Sequence, residues 1–288
     1  MLTKNQLISE TKSIYFSIVN NAEYIKLLER QDSLYQIAFR AASVRYKTGE
    51  SDLLEKVSSE TRMREIQNRI QSLQADAQGL YQNLKFLMNT TDDFIIDKSL
   101  RAKKLLIINE LNVLSNPFLA ILKQQNEVSI FQTKLEKERL KPDFKVGIIN
   151  QSIEQNYNQN VVQVGINLPI FTKAQNARIE ASKINSQIVQ QQIKLTENQL
   201  KMQLTSLKIQ YEKGEKSLDY YERFALPQVE LIIKTATKSY QAGEIEYIEF
   251  TQNITQAWQI KESYLFELQT FNQIIINIET IIGNENSY

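Results

Sequence analysis

Apolar residues recur at helical spacing through most of this chain. In the first part they are three, four or seven residues apart, at Leu7, Ile14, Ile18, Ile25, Leu28, Tyr35 and Phe39. A stripe of this kind is typical of long helices that pack against other helices, and it predicts a helix over 2–44. Similar patterns predict helices over 51–88, 118–140, 172–240 and 244–282. We expect a kink or break in the fourth, between Gly214 and Pro227.

The pattern changes to period two after Pro142. Apolar residues then alternate with polar or small ones on two predicted strands, 143–149 and 161–170, joined by a polar loop over 150–160. The apolar positions are Phe144, Val146, Ile148, Val162, Val164, Ile166, Leu168 and Ile170. One interpretation is a membrane strand pair with this side facing lipid. The alternative is a soluble hairpin half-buried on the helices, although a lone hairpin is marginally stable in water.

A short motif occurs twice, 194 residues apart. RYKTGESDLLE begins at Arg45, and SYQAGEIEYIE begins at Ser239. Each copy places one glycine, Gly49 or Gly243, between two long helical patterns, where a residue that tolerates positive φ ends a helix at low cost. We therefore interpret the chain as two copies of one helical hairpin, and we expect both glycines in tight turns at the same end of the molecule.

Composition excludes several kinds of function. The 288 residues include no Cys and no His, which removes Cys/His metal sites, thiol catalysis and His-based triads. The formal net charge of +1 argues against nucleic acid as a partner. No run of 18 apolar residues predicts a transmembrane helix, and no signal-peptide pattern is visible at the N-terminus. We expect no enzyme activity, no catalytic residue, no cofactor and no metal site.

Two further features have alternative interpretations. The glycine turns are either docking surfaces for a partner or simple turns with a glycine cap. The acidic residues Glu244, Glu246 and Glu249 are either a solvated helix face or part of a pore-lining ring, and a ring requires oligomerisation. Trp258 is interpreted as packing in the core or at an interface.

Several segments together resemble the TolC family of bacterial outer membrane efflux channels. They are PDFKVG from Pro142, VGINLPIF from Val164, ALPQ from Ala225 and the SYQAGEIEY turn from Ser239. The resemblance implies a mainly α fold with long antiparallel coiled-coil helical hairpins in two repeats and one β-hairpin. It also implies a homotrimer whose strands form a shared β-barrel in the outer membrane and whose helices form an α-barrel in the periplasm.

The resemblance assigns roles to individual residues. The turns would dock a periplasmic adaptor that connects to an inner-membrane pump, through Arg45, Tyr46, Gly49, Glu50, Tyr240, Gly243 and Glu244. Glu249 falls where some family members place an acid at a pore constriction, whereas the second such position is the neutral Gln252. The apolar strand positions given above would face outer membrane lipid.

The implied organisation divides the chain into six segments: a first-repeat hairpin (1–89), an equatorial connection (90–117), a helix (118–141), the strand pair (142–171), a second-repeat hairpin (172–283) and a tail (284–288). The implied function is passive export of drugs or metal ions in a tripartite, RND-type efflux system. The alternatives are a soluble coiled-coil scaffold and a truncated, non-functional channel fragment. A first strand pair and signal peptide would precede residue 1, and three chains with two strands each fall below the roughly eight strands of a small barrel.

Overall fold

The computed structural model describes residues 4–98, 113–153 and 157–283. Six α-helices and one strand pair account for most of them. In chain order they are α1 (Lys4–Thr48), α2 (Leu53–Met88), α3 (Pro117–Glu138), β1 (Asp143–Ile153), β2 (Tyr157–Asn167), α4 (Lys173–Tyr220), α5 (Leu226–Gln241) and α6 (Tyr247–Ile282). The mainly α fold with one β-hairpin predicted from the sequence is confirmed. The chain divides into two compact units, and the second consists of residues 112–202.

The first unit is built on side-by-side packing of long helices. Helix α1 packs against both α2 and α6, and α6 packs against α5. Their apolar stripes meet in one core, which includes Leu28, Tyr35, Ala38, Ile66, Ala236, Tyr240, Phe250, Ile254 and Trp258. The heptad-like spacing explains this arrangement, because it places one apolar residue on the same helix face in nearly every turn.

The predicted interruption after Gly214 is present. A five-residue π-helical segment, Tyr221–Ala225, separates α4 from α5, and Pro227 lies in the first turn of α5. Proline has no N–H to donate, so inside a continuous α-helix it would leave one carbonyl of the preceding turn without a partner. The interruption falls just before this proline. Gly214 itself remains inside α4 and serves packing, because a Cβ there would lie 2.8 Å from Cδ2 of Phe271.

The second unit contains α3, the strand pair and the first part of α4. Asn116 caps α3 by accepting hydrogen bonds from the backbone N–H groups of Phe118 and Leu119, and Pro117 occupies the first turn, as predicted. The other end of α3 is tied to α4, since the Gln175 amide donates to the carbonyl and the carboxylate of Glu136, both at 2.8 Å. This hydrogen bond, with Arg139 nearby, lowers the pKa of Glu136.

The strands are longer toward their turn than the sequence predicted. The antiparallel ladder runs from the pair Asp143–Asn167 to the pair Ile153–Tyr157, so most of the expected loop is strand. Period two in hydrophobicity ends earlier because backbone pairing does not require apolar side chains. At the other end β2 stops at Asn167, which leaves Leu168 and Ile170 outside the strand, next to a proline that lacks a ladder donor.

Among the helices within the described ranges, none has an apolar stretch long enough to cross a membrane. Half of the predicted equatorial connection, residues 99–112, and the whole tail after Gly283 lie outside the described residues.

Candidate functional site

The two glycine turns have the same backbone geometry. We call residues 45–52 tip 1 and residues 239–246 tip 2. Gly49 has φ +78° and Gly243 has φ +72°, both in the left-handed region. In tip 1 the Glu50 N–H donates to the Arg45 carbonyl at 2.8 Å, and in tip 2 the Glu244 N–H donates to the Ser239 carbonyl at 2.9 Å. Each glycine N–H donates to the carbonyl three residues earlier, so each tip closes its helix with a Schellman motif.

The tips lie together at one end of the first unit, as the repeat predicted. The hydroxyl of Tyr240 donates to Oε1 of Glu55 at 2.8 Å. The same carboxylate is 3.4 Å from Nη1 of Arg45 and accepts from the Ser51 hydroxyl at 2.6 Å. Glu55 therefore accepts hydrogen bonds from residues of both tips, and these bonds hold the start of α2 against the end of α5.

Tyr240 is buried in this arrangement, with only 4% of its surface exposed. Its ring stacks on Phe250 with the centroids 4.6 Å apart. Burial, and then the hydrogen bond to Glu55, raise the pKa of Tyr240, because both disfavour a phenolate at this position. The hydroxyl thus remains a hydrogen-bond donor at any physiological pH.

The corresponding tyrosine of tip 1 behaves differently. Tyr46 is 40% exposed, and Nζ of Lys56 lies 5.2 Å from the centre of its ring. Tyr46 is therefore not packed beneath its tip as Tyr240 is.

The outer surfaces of the tips are open. A Cβ added to Gly49 or Gly243 would meet no atom within 4 Å. Two large apolar side chains, Leu54 and Ile248, lie exposed beside the turns at matching positions of the repeat. Neither was among the predicted site residues. The repeat alignment paired them, but exposure at a tip cannot be read from a helical pattern.

The helix starts that follow the turns also differ. Asp52 caps α2 by accepting from the Glu55 N–H at 2.8 Å. Its repeat counterpart, Glu246, makes no such capping bond to α6. Glu249 and Gln252 lie exposed on the first turns of α6, and their role at a pore constriction stays a prediction.

The strand pair presents the predicted apolar surface. Three apolar pairs face each other across the ladder: Phe144–Ile166, Val146–Val164 and Ile148–Val162. Each of these six side chains exposes between 60% and 77% of its surface. Asn150 and Asn160 continue the same side, with a hydrogen bond of 2.7 Å between their amides. The opposite side carries Lys145, Gly147, Gln163 and Gly165, and near the turn the less exposed pair Ile149–Val161.

Known proteins share this sequence in part and this fold almost throughout. No family model matches the chain. Over 154 residues it is 28% identical to the cobalt-zinc-cadmium resistance protein CzcC of Cupriavidus metallidurans, a match that covers 52% of this chain and 36% of that protein.

Solved structures extend the likeness to nearly the whole chain. The outer membrane protein VceC of Vibrio cholerae has a TM-score of 0.81 at 12% identity, covering 97% of this chain and 70% of its own. The MtrE outer membrane channel of Neisseria gonorrhoeae in its open state also has a TM-score of 0.81 at 12% identity, covering 97% of this chain and 66% of its own. At such identities the likeness establishes the fold.

Proposed function

We propose, from the fold that this chain shares with TolC-family outer membrane channels, that it is the outer membrane component of a tripartite, RND-type efflux system. Its role is passive, since the channel provides a water-filled path and an inner-membrane pump supplies the energy. No residue needs to perform chemistry for this function. The similarity to CzcC supports an efflux role in general, and the more specific parts of the proposal rest on the surfaces described above.

The observation that carries the proposal is the exposed apolar side of the strand pair. A soluble scaffold would bury Val146, Val164 and their neighbours against its helices, because exposed apolar patches of this kind promote association in water. Here the side chains remain open, on strands of 11 residues each. Transmembrane β-strands have about 9–11 residues. The exposed apolar side chains and the strand length both suit contact with outer membrane lipid.

The tips support adaptor docking. Open space over Gly49 and Gly243 allows another backbone to approach closely, and the exposed Leu54 and Ile248 offer apolar contacts on either side. A helical hairpin of an adaptor that bound here would find two nearly identical turns side by side. The charged members of the predicted docking set, Arg45, Glu50 and Glu244, would then set the orientation of the partner more than its affinity.

We propose that the protein assembles as a homotrimer, which the resemblance implies. Helices α2 and α5 each carry exposed apolar residues, such as Val57 on α2 and Leu231 on α5. Neighbouring copies of the chain would cover these surfaces. In such a ring the exposed Glu249 would contribute one carboxylate per copy.

We infer that the exported substrate is a transition-metal cation, because the similar protein CzcC is a resistance protein for cobalt, zinc and cadmium. The test is deletion of the gene in its own host, followed by growth on graded concentrations of salts of these three metals. Loss of tolerance that the wild-type gene restores supports the proposal. Unchanged tolerance to all three metals contradicts the metal assignment.

The lipid-facing surface has its own matched test. Val164→Lys places a charge on the apolar side, which costs about 2–4 kcal/mol near the middle of the membrane. Gln163→Lys places the same charge on the adjacent residue of the opposite side. We expect only Val164→Lys to lower the amount of protein in the outer membrane fraction. Equal amounts of both variants would favour the scaffold alternative.

Docking is tested at a position where the backbone tolerates any side chain. Ala242 precedes Gly243 with φ −78° and is exposed, so Ala242→Trp adds bulk to tip 2 without backbone strain. It should abolish adaptor co-purification and metal tolerance while helix content stays normal. The control, Gly243→Asn, keeps a small residue that accepts positive φ and should retain both. Normal co-purification by Ala242→Trp would count against docking at this tip.

A further inference from the structure

Positive charge is concentrated in the second unit, where the strand pair joins the helices. We call residues 134–141, at and just after the end of α3, together with residues 173–183, at the start of α4, the basic collar. It contains seven cationic and three acidic side chains, whereas the whole chain is nearly balanced, with 34 and 33. The two segments lie side by side, because the Gln175 amide of α4 donates to the Glu136 carboxylate of α3. The fold therefore brings cations from both segments to one place.

The acids of the collar are all paired. The ion pairs are Glu136–Arg139, Glu138–Lys141 and Glu180–Lys183. The other four cations are exposed and make no ion pair with any residue in the described ranges: Lys134, Lys137, Lys173 and Arg178. Nζ of Lys134 lies 4.9 Å from the centre of the Phe131 ring. These four charges are thus available to an anion from outside the chain.

Helix stability does not account for the position of Lys173. It is the first residue of α4, and the first turn of this helix contains no acidic residue. The N-terminus of a helix carries a partial positive charge, so a cation there is unfavourable and a carboxylate would be favoured. The sequence thus places positive charge where folding of α4 gains nothing from it.

The collar begins where the apolar surface of the strand pair ends. Ile170 and Phe171 follow β2 and are 78% and 92% exposed. Lys173 is two residues further on, so its Cα lies within about 7 Å of the Phe171 Cα. The headgroup layer on each side of a bilayer core is about 5–8 Å thick. Long cationic side chains can cover apolar surface with their stems and extend their charges into such a layer.

We propose that the basic collar binds anionic phospholipid headgroups at the periplasmic face of the outer membrane. This inference rests on the proposed function, in which the apolar side of the strands faces lipid. The partner is a membrane that contains phosphatidylglycerol, whose headgroup is an anionic phosphate diester. Each cation near an anionic membrane surface strengthens binding by about a factor of five. The headgroup contacts form only when Phe171 lies at the boundary of the apolar core, so the collar sets the depth of the strand pair in the membrane.

Vesicle flotation separates the contribution of the collar from that of the strands. The full chain, purified in detergent, is diluted into vesicles of phosphatidylcholine alone or mixed with phosphatidylglycerol, and the floated fraction is measured against lipid concentration. We expect binding to both, tighter with phosphatidylglycerol, and loss of the difference at high salt. Equal affinity for both vesicles would overturn the collar and leave the lipid-facing strands supported. Binding only with phosphatidylglycerol would support the collar and contradict lipid-facing strands, and binding to neither would contradict both.

Matched variants on α4 test the assigned residues. Lys173→Gln combined with Arg178→Gln removes two unpaired cations of the collar. Lys213→Gln combined with Lys216→Gln makes the same change in charge at exposed positions on later turns of the helix. We expect the collar variant to bind phosphatidylglycerol vesicles about thirtyfold more weakly than wild type, and to match wild type on phosphatidylcholine. The control should match wild type on both.

Equal weakening by the two double variants would overturn the assignment, because net charge alone would then explain binding. A third variant, Lys173→Arg combined with Arg178→Lys, retains both charges. It should bind phosphatidylglycerol vesicles as wild type does, which separates loss of charge from loss of folding. Binding as weak as that of the glutamine variant would also overturn the proposal.

Discussion

Replacing Tyr240 by Phe tests the hydrogen bond that connects the two tips through Glu55. The change removes one hydroxyl and leaves the ring stacked on Phe250. It breaks the 2.8 Å hydrogen bond to Glu55, whose side chain is mostly buried. A hydrogen bond to a charged group contributes about 1.5–3 kcal/mol. Because Glu55 keeps the Ser51 hydroxyl as a donor, we expect a loss of about 1.5 kcal/mol, at the low end of that range.

The loss should be local and should appear in hydrogen exchange. Local opening of the tips would become about tenfold more frequent, since about 1.4 kcal/mol corresponds to a factor of ten. Mass spectrometry would detect faster amide exchange in peptides that cover 239–255 and 50–60, with little change in the second unit. The matched control is Tyr46→Phe, at the repeat counterpart, whose exposed ring should tolerate the change. Equal effects of the two substitutions would refute the role given to Tyr240.

The pH dependence of the same variant gives a second check. Burial, and the hydrogen bond to Glu55, raise the pKa of folded Tyr240 above the ordinary tyrosine value of about 10. Below pH 10 the stabilisation is complete. Above it the unfolded side chain releases its proton while the folded one retains it, so stability falls as pH rises. The advantage of wild type over Tyr240→Phe should therefore shrink above about pH 10, and an advantage that grows there would contradict the argument.

Four further substitutions test packing and capping, each by thermal unfolding followed by circular dichroism. Gly214→Ala should destabilise by about 1–3 kcal/mol because its methyl group meets the Phe271 ring, whereas Gly79→Ala, in the open middle of α2, should stabilise by about 0.5–1 kcal/mol. Equal signs for these two would show that the contact with Phe271 is unimportant. Asp52→Ala should cost about 1 kcal/mol through loss of the α2 cap, and Glu246→Ala, which removes no capping bond, should cost less; the reverse order would contradict the capping assignment.

Periodicity predicted the helices and the strand pair because burial enforces it. A helix that packs on one side needs an apolar residue in every turn, and a strand with one apolar side needs alternation. Where a segment is not buried on one side, its hydrophobic pattern does not indicate its secondary structure. The ladder from Asn150–Asn160 to Ile153–Tyr157 carries mostly polar residues, so its extended backbone left no alternation to read. The π-helical segment before Pro227 was predictable as a break, but not as a π-helix, because proline constrains only its own neighbourhood.

The internal repeat predicted the backbone of the tips more fully than their side chains. Matching glycines produced matching Schellman motifs, since positive φ is a local requirement. Burial also repeats at Ala42 and Ala236, which are both in the core. The hydrogen bond between Tyr240 and Glu55 spans 185 residues of sequence. It depends on which helix lies over which tip, and no local pattern contains that information.

The two repeats place the same residue type in different surroundings. Glu55 and Glu249 occupy equivalent positions, yet Glu55 is held by donors from both tips, whereas Glu249 lies exposed on α6. At the start of α2, the Glu55 carboxylate accepts a hydrogen bond from the Tyr240 hydroxyl of α5. At the start of α6, the Glu249 side chain is exposed. One copy of the repeat thus supplies the hydrogen bonds that connect the tips, and the other leaves its carboxylate exposed.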